Sequence, residues 1–265
     1  MDLKDFFTHH PIFTHDEWVI FLRSRKITNP HTIRELLAYH TKKNHIFHIR
    51  RGLYANDLFK VVDPYLIAGK TAPDAVLAYH TALDFYGVAY STYFKFYYYS
   101  HAAVKPFEFQ NNSYQRVALP KALIRKNQEM LGVKTQDRMG VNIKVCTLER
   151  AFVDILDRPE LSGGWEEIWR SAEHVPVLDL DLVIKYAILL ENSTTVAKVG
   201  FFLESHQELF AVTEKNLKKL EKNIPRGKHY AEKIKQEKYH YIKRWNLLVP
   251  VSIINKKWEE PNDHF

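Results

Sequence analysis

Gly163–Gly164 followed by Asp179–Leu180–Asp181–Leu182 is the stretch of this chain nearest to a catalytic signature. Two-metal phosphoryl transfer needs paired carboxylates behind a glycine turn, so placed that both acids hold the cations. Leu182, Ile184, Lys185 and Leu189 continue the acids in a helical pattern, however, which makes Asp179 an N-cap. The spacing is also long, and no serine follows the glycines. Arg150 and Asp154 stand at i, i+4 and read as a structural ion pair rather than an acid/base couple. Such a pair contributes a few tenths of a kcal/mol if exposed and fixes packing if buried. Cys146 ends an apolar strand just before a helix start, where a thiol pKa can fall, but a lone cysteine there is expected to be buried packing. Fourteen histidines, half of them within the first 48 residues, show no HExxH and no cysteine partner at ligand spacing, so no metal is expected. GxSxG, GxGxxG and GxxxxGK[ST] are all missing, and the acid-x-Lys triplet Asp2–Leu3–Lys4 lacks the Pro-Asp of a nuclease motif. The residues therefore point away from an enzyme and from any cofactor.

The 265 residues are 46% hydrophobic and 14% aromatic, enough for a packed core and too much for a disordered chain. One cysteine cannot form an internal disulfide. No run of eighteen apolar residues occurs, and the start MDLKDFFTHH lacks the layout of a signal peptide, so a cytoplasmic protein with no membrane partner is expected.

The net charge of +7 is unevenly spread. Residues 1–60 carry +4, residues 61–212 carry −3, residues 213–257 carry +9 and the last eight residues carry −3. These shifts suggest three segments, 1–60, 61–212 and 213–265, with separate surfaces and a polyanion partner at one or both ends.

The first segment reads as a winged helix-turn-helix. Thr14 and Glu17 make a capping box before Trp18, Phe21 and Leu22, one apolar helical face. Asn29 is an N-cap before Pro30, and Ile33, Leu36, Leu37 and His40 carry a second helix to about Lys43. Asn44 suits the left-handed residue that closes it. Ile46–Ile49, a turn at Arg50–Arg51–Gly52 and Leu53–Ala55 then read as a hairpin wing. Asn29, His31, Thr32, Arg34, Lys42 and Lys43 lie on the polar side of the second helix, where base edges and phosphates of double-stranded DNA are within reach. Arg50 and Arg51 sit where a wing grips phosphate or enters the minor groove. The first helix of such a domain is short or missing unless Leu3–Phe7 supplies it.

Further on, a linker or crossover is expected from Ala55 to Pro73, and a helix opening at Pro73 and ending near Gly87. Strands are expected at Tyr93–Tyr99, Phe107–Phe109, Tyr114–Val117 and Val141–Val145, and a helix from Thr147 through Leu156. Helices dominate from Trp165 to Leu209, with breaks near Pro176 and Asn192. Glu214–Asn223 and Tyr230–Trp245 read as helical, with Trp245–Pro250 closing as a strand. Their Lys215, Lys218, Lys219, Lys222, Arg226, Lys228, Lys233, Lys235, Lys243 and Arg244 form either a second polyanion surface or a solvated cap.

Several stretches occur in a recognisable order: Arg50–Arg51–Gly52–Leu53–Tyr54, Tyr79–His80–Thr81–Ala82–Leu83, Thr147 to Leu156 with Pro159, Val196 to Glu204, and Trp245 to Pro250. Over roughly residues 14–250 this set resembles the AbiEi family of antitoxins and transcriptional regulators from type IV toxin–antitoxin systems. The resemblance implies a winged helix that represses its own operon by binding inverted repeats in the promoter. It also implies a larger α+β antitoxin domain that counters a nucleotidyltransferase-like toxin, without requiring a stable complex. Asn44 stands where the family commonly has glycine, and the basic block from Lys215 to Lys243 exceeds the family pattern. The alternatives are a nucleotidyltransferase using Asp179 and Asp181, or a winged helix that docks on protein.

Overall fold

The computed structural model describes residues 3–58 and 61–259. Asp2 of the acid-x-Lys triplet and residues 260–265 of the last segment lie outside the described residues. The fold is mixed α+β, and the chain packs as two compact units that each draw on separated stretches of sequence.

The first unit comprises residues 1–77, 93–118 and 134–145. It begins with α1 (Leu3–His9), β1 (Ile12–Thr14), α2 (His15–Ser24), α3 (Pro30–Lys42), β2 (Ile46–Arg50) and β3 (Leu53–Asn56). The three strands form one sheet in the order β1-β3-β2, both pairings antiparallel. Local chemistry accounts for these boundaries. Thr14 accepts from the Glu17 N–H at 3.2 Å while Glu17 Oε2 accepts from the Thr14 N–H at 2.7 Å, completing the capping box. Asn29 caps α3 with Pro30 in its first turn, and Asn44 closes the far end at φ 58°. Helix α1 supplies Phe6 and Phe7 to an aromatic core around the fully buried Trp18, with Phe13, Phe21, Ile33 and Leu37. Asn56, also buried, donates to the carbonyls of Phe7 and His10, both at 2.7 Å, and so ties the end of β3 to the exit of α1.

The same unit continues through α4 (Pro64–Lys70) into a six-stranded sheet of order β6-β7-β5-β4-β9-β8. Its strands are β4 (Val76–Leu77), β5 (Lys95–Tyr99), β6 (Phe107–Phe109), β7 (Asn112–Val117), β8 (Val133–Arg138) and β9 (Val141–Cys146). The two-residue β4 pairs antiparallel with β5 and parallel with β9, while β6 and β7 form the hairpin turning at Gln110–Asn111. Two expectations change here. The stretch read as a linker holds α4, capped by Asp63 before Pro64. The helix read from Pro73 starts only at His80, and Val76 and Leu77 are instead strand β4, because they complete the centre of a sheet and Tyr79 breaks the chain direction at φ 54°, ψ −139°. That conformation costs a bulky residue of order 1–3 kcal/mol and is held by its surroundings.

The second unit comprises residues 78–92, 119–133 and 146–265. Its helices are α5 (His80–Phe85), α6 (Lys121–Arg125), α7 (Leu148–Asp157), α8 (Trp165–Glu173), α9 (Leu180–Leu189), α10 (Ser193–Ser205), α11 (Gln207–Phe210), α12 (Glu214–Glu221) and α13 (Val251–Ile254). Strands β10 (His229–Tyr230), β11 (Tyr239–Ile242) and β12 (Leu247–Pro250) form a small sheet with β12 in the middle. Residues 230–242 are therefore strand and loop rather than helix, and only Lys243–Trp245 form a 3-10 turn. Tyr239, His240, Tyr241 and Ile242 suit a pleated surface, and they pair antiparallel with β12 from Pro250 back to Leu247.

Two buried polar centres organise this unit. Arg150 on α7 is wholly buried; its Nη1 donates to the carbonyls of Glu129 at 2.6 Å and Leu131 at 2.9 Å, and its Nε stands 3.7 Å from Asp154. Tyr186 of α9 donates to Asp154 at 2.7 Å, so the i, i+4 pair is a buried packing device. Glu167 of α8 accepts from the backbone N–H groups of Tyr90 at 2.9 Å and Ser91 at 3.0 Å and from Ser171 Oγ at 3.0 Å, with His80 Nε2 at 3.2 Å.

Helix α10 packs at Gly200 against the turn that precedes β12, where a Cβ would fall 2.2 Å from the ring of the fully buried Trp245. Gly200→Ala is therefore expected to lower stability by at least ~1–3 kcal/mol, read as an earlier urea midpoint. A midpoint equal to that of the unaltered chain would show that the Trp245 ring can yield.

Candidate nucleic-acid interface

Helix α3 presents a polar face because its apolar residues fall on one side. Ile33 and Leu37 face the aromatic core, and Trp18 Nε1 reaches the Ile33 carbonyl at 3.4 Å. His31, Thr32, Arg34, Tyr39, Lys42 and Lys43 are left exposed on the other side. Lys42 and Lys43 lie at the negative end of the helix dipole, and Arg34 lies near its start. Asn29 is differently employed: its side-chain oxygen accepts from the His31 N–H at 2.8 Å, so it caps the helix.

Beside the start of α3 runs a groove of about 350 Å³ with a floor of Val19, Pro30 and Ile33 and a rim of His15, Arg23 and Arg34. Arg23 does not stand out in the sequence as a site residue. Its position in the last turn of α2 is the signal that could have found it, since that turn lies next to the start of α3.

The β2–β3 hairpin turns on Arg51–Gly52, and Gly52 has the φ of 79° that a side chain resists. Arg51 is exposed at this turn. Arg50 departs from the phosphate-gripping role expected of it. Its Nη1 donates to the Thr71 carbonyl at 2.8 Å and its guanidinium lies 5.5 Å from the centre of the Phe107 ring, so it is half-buried and braces the hairpin within the unit. Both partners are distant in sequence, and no local pattern announces them.

A second brace fixes the start of α2. Lys70 of α4 pairs with Glu17 Oε1 at 2.5 Å, while the other oxygen closes the capping box. Burial works to raise the Glu17 pKa, and the Lys70 ammonium with the Thr14 N–H outweighs it and holds the carboxyl below its usual range. Together with Arg51, these residues line a cleft of about 480 Å³. Exposed cations on a helix and a turn, carried by a braced lobe, can meet the phosphates and base edges of a duplex.

The remaining candidates are scattered. Lys215, Lys218, Lys219, Lys222, Arg226, Lys228, Lys233, Lys235 and Lys243 are exposed. Lys228 lies over the Tyr241 ring and Lys233 over Tyr230, at 4.7 and 5.7 Å. Arg244 is not part of a free basic surface: it bonds Glu204, Glu214 and Glu221 at once. Asp179 accepts from the Leu182 N–H at 3.1 Å as the cap of α9, and Asp181 is exposed and paired with Lys219 at 2.6 Å. Both acids thus stand at a helix start with partners of their own. Burial pushes the Cys146 thiol up to about 12, which keeps it protonated. No group of three or more histidine, cysteine or acidic residues that could hold a metal is found among the described residues. No helix among them is long and apolar enough to cross a membrane.

No family model matches this chain, and a comparison with curated proteins finds no match either. Its mixed α+β fold is similar to the crystal structure of the RV2827C protein from Mycobacterium tuberculosis. The TM-score is 0.61 at 12% identity, over 94% of this chain and 90% of that one, which is a likeness of fold alone.

The C-terminal turn of α3 carries a titratable contact. His40 is buried, with its Nδ1 3.3 Å from His45 Nδ1, so one ring must donate and the other accept. Burial first, and the neighbouring His45 second, lower the His40 pKa from its ordinary 6.5. Above that pH the imidazole is neutral whether folded or unfolded, and the full stability is present. As the pH falls below it, the unfolded chain takes up a proton that the folded lobe refuses, and stability declines by at most ~1.4 kcal/mol per pH unit. His40→Gln is expected to flatten the fall in melting temperature between about pH 7.5 and 5, measured against the parent. Parallel curves for the two proteins would place the acid sensitivity elsewhere.

Proposed function

We propose that this chain is a DNA-binding antitoxin and autorepressor of the AbiEi type, without catalytic activity, acting in the cytoplasm. In this reading the N-terminal lobe is a winged helix-turn-helix, with α2 and α3 as the helix pair, α3 as the recognition helix and β2–β3 as the wing. The observation that carries it is the exposed face of α3 bearing His31, Thr32, Arg34, Lys42 and Lys43 just before a hairpin with Arg51 at its turn. The ordered stretches from Arg50 to Pro250 that resemble the family support the same reading. Helix α1 supports it further, since the family's winged domain is expected to open with a helix.

The N-terminal half of α3 meets base edges, and Lys42, Lys43 and Arg51 meet phosphates. Two protomers on inverted repeats one helical turn apart would mirror the symmetry of the site. The second unit then serves in neutralising a nucleotidyltransferase-like toxin, with or without a stable complex.

Purified protein is expected to retard its own upstream promoter in preference to unrelated DNA of equal length. Arg34→Ala should relax that preference by ~1–3 kcal/mol, whereas Arg51→Ala should weaken all duplexes alike and reduce the salt slope by about one. Arg50→Ala is expected to act through stability, seen as a lower melting temperature. No selective retardation at any salt concentration would end the repressor reading. Co-expression with the product of a neighbouring nucleotidyltransferase-like gene is expected to restore growth that the neighbour alone arrests. Continued arrest despite soluble expression of both would end the antitoxin reading.

A further inference from the structure

Helix α12 sorts its charges by face. Its two acids, Glu214 and Glu221, stand seven residues apart, and both turn to Arg244. Glu221 accepts from Nε at 2.5 Å and Glu214 from Nη2 at 2.6 Å, while Nη1 donates to Glu204 of α10 at 2.9 Å. The acidic side of the helix is thus neutralised within its own unit. Lys215, Lys218, Lys219 and Lys222 recur at i, i+3, i+4 and i+7, which sets them in one stripe about 10 Å long. All four are exposed, and with Glu214 they border a shallow groove of about 410 Å³. Lys219 pairs with Asp181, while Lys215, Lys218 and Lys222 have no ion-pair partner among the described residues.

Nothing in the packing calls for this arrangement. The buried positions of α12 are Leu217 and Leu220, and its start is closed by the Thr213–Asn216 capping box. Lysines three and four residues apart on a helix repel one another. A surface that needs only solubility intersperses the two signs, whereas here the acids are drawn into the Arg244 contact and the lysines are left side by side. A row of closely spaced anions is the partner that relieves that repulsion.

We infer that the α12 lysine stripe is a second, sequence-independent contact for the phosphate backbone of double-stranded DNA. Lysine meets phosphate as a point charge and carries no bidentate fork with which to read a base edge. Helix α12 also bears no aromatic residue on which an unpaired base could stack, which favours a duplex over a single strand. The choice of DNA rests on the DNA-binding reading of the N-terminal lobe. The stripe would add affinity and salt dependence to that lobe, and the selection of sequence would stay with α3.

The test titrates the full chain with a labelled random-sequence duplex between about 50 and 250 mM salt. Lys215→Gln, Lys218→Gln and Lys222→Gln together are expected to reduce the slope of log affinity against log salt by about 2 to 3, at roughly 0.9 per phosphate neutralised. Arginine at the same three positions is expected to restore it. The preference for promoter over random duplex should stay unchanged in the glutamine variant and fall in Arg34→Ala. Loss of the slope in the glutamine variant of a chain that shows no promoter preference would sink the repressor reading and leave the stripe standing. An unchanged slope and affinity in the glutamine variant overturns the inference, and so does tighter binding of a single strand than of a duplex of equal length.

Discussion

The exposed face of α3 is only as well placed as the buried face behind it, and that face rests on Trp18. The indole is wholly buried, lies among the rings of Phe6, Phe7, Phe13 and Phe21, and reaches the Ile33 carbonyl with its N–H. One side chain therefore fixes α1, β1 and the first two turns of α3 against one another. A lobe of under 60 residues has little core to draw on, and large aromatic groups provide the most burial per residue. Asn56 completes the arrangement from the polar side, because two carbonyls at the exit of α1 would otherwise be buried without donors. The polar face of α3 can then be chosen for what it meets, since none of its residues is needed to hold the helix in place.

Two long-range braces, Glu17–Lys70 and Arg50–Thr71, set the lobe within its unit, and both consume charges that look functional in isolation. A cation is available to a partner only when no carboxylate or carbonyl of its own chain has claimed it. By that criterion Arg51 and Arg34 differ from Arg50, and Lys215, Lys218 and Lys222 differ from Arg244 and from Lys219, which Asp181 has claimed. The two arginines at the β2–β3 turn are neighbours in sequence with opposite employment. Arg50 is the last residue of β2 and reaches Thr71 and Phe107, whereas Arg51 stands in the turn beyond the strand.

Much of this was legible where the signal is local. The Thr14–Glu17 box, Asn29–Pro30, Asn44 and the cap at Asp179 each depend on residues within one turn, and each stands where its chemistry puts it. The Asp63–Pro64 pair carries the same signal as Asn29–Pro30, so α4 was available to a reading that trusted caps over the expectation of a linker. Other elements had no local signal. Val76 and Leu77 become a strand because β5 and β9 flank them, and an apolar pair next to alanines reads equally well as helix. Tyr239–Ile242 lies among lysines that suit either state, and only its pairing with β12 decides. The partners of Arg50 and Arg244 lie 21 to 57 residues away, beyond any spacing rule.

The net charge of +7 takes on a different meaning once partners are assigned. Arg244 is held by three carboxylates, and burial, which acts to lower its pKa, is outweighed by those three hydrogen bonds, so its charge is permanent but spent internally. What it does instead is neutralise Glu214 and Glu221 of α12. The positive field of that helix therefore comes from the placement of its acids as much as from the number of its lysines. The same logic operates at the β2–β3 hairpin, where Arg50 is absorbed and Arg51 is left out. Charge counts along a sequence cannot separate these cases, because the separation is made by contacts across the fold and not by composition.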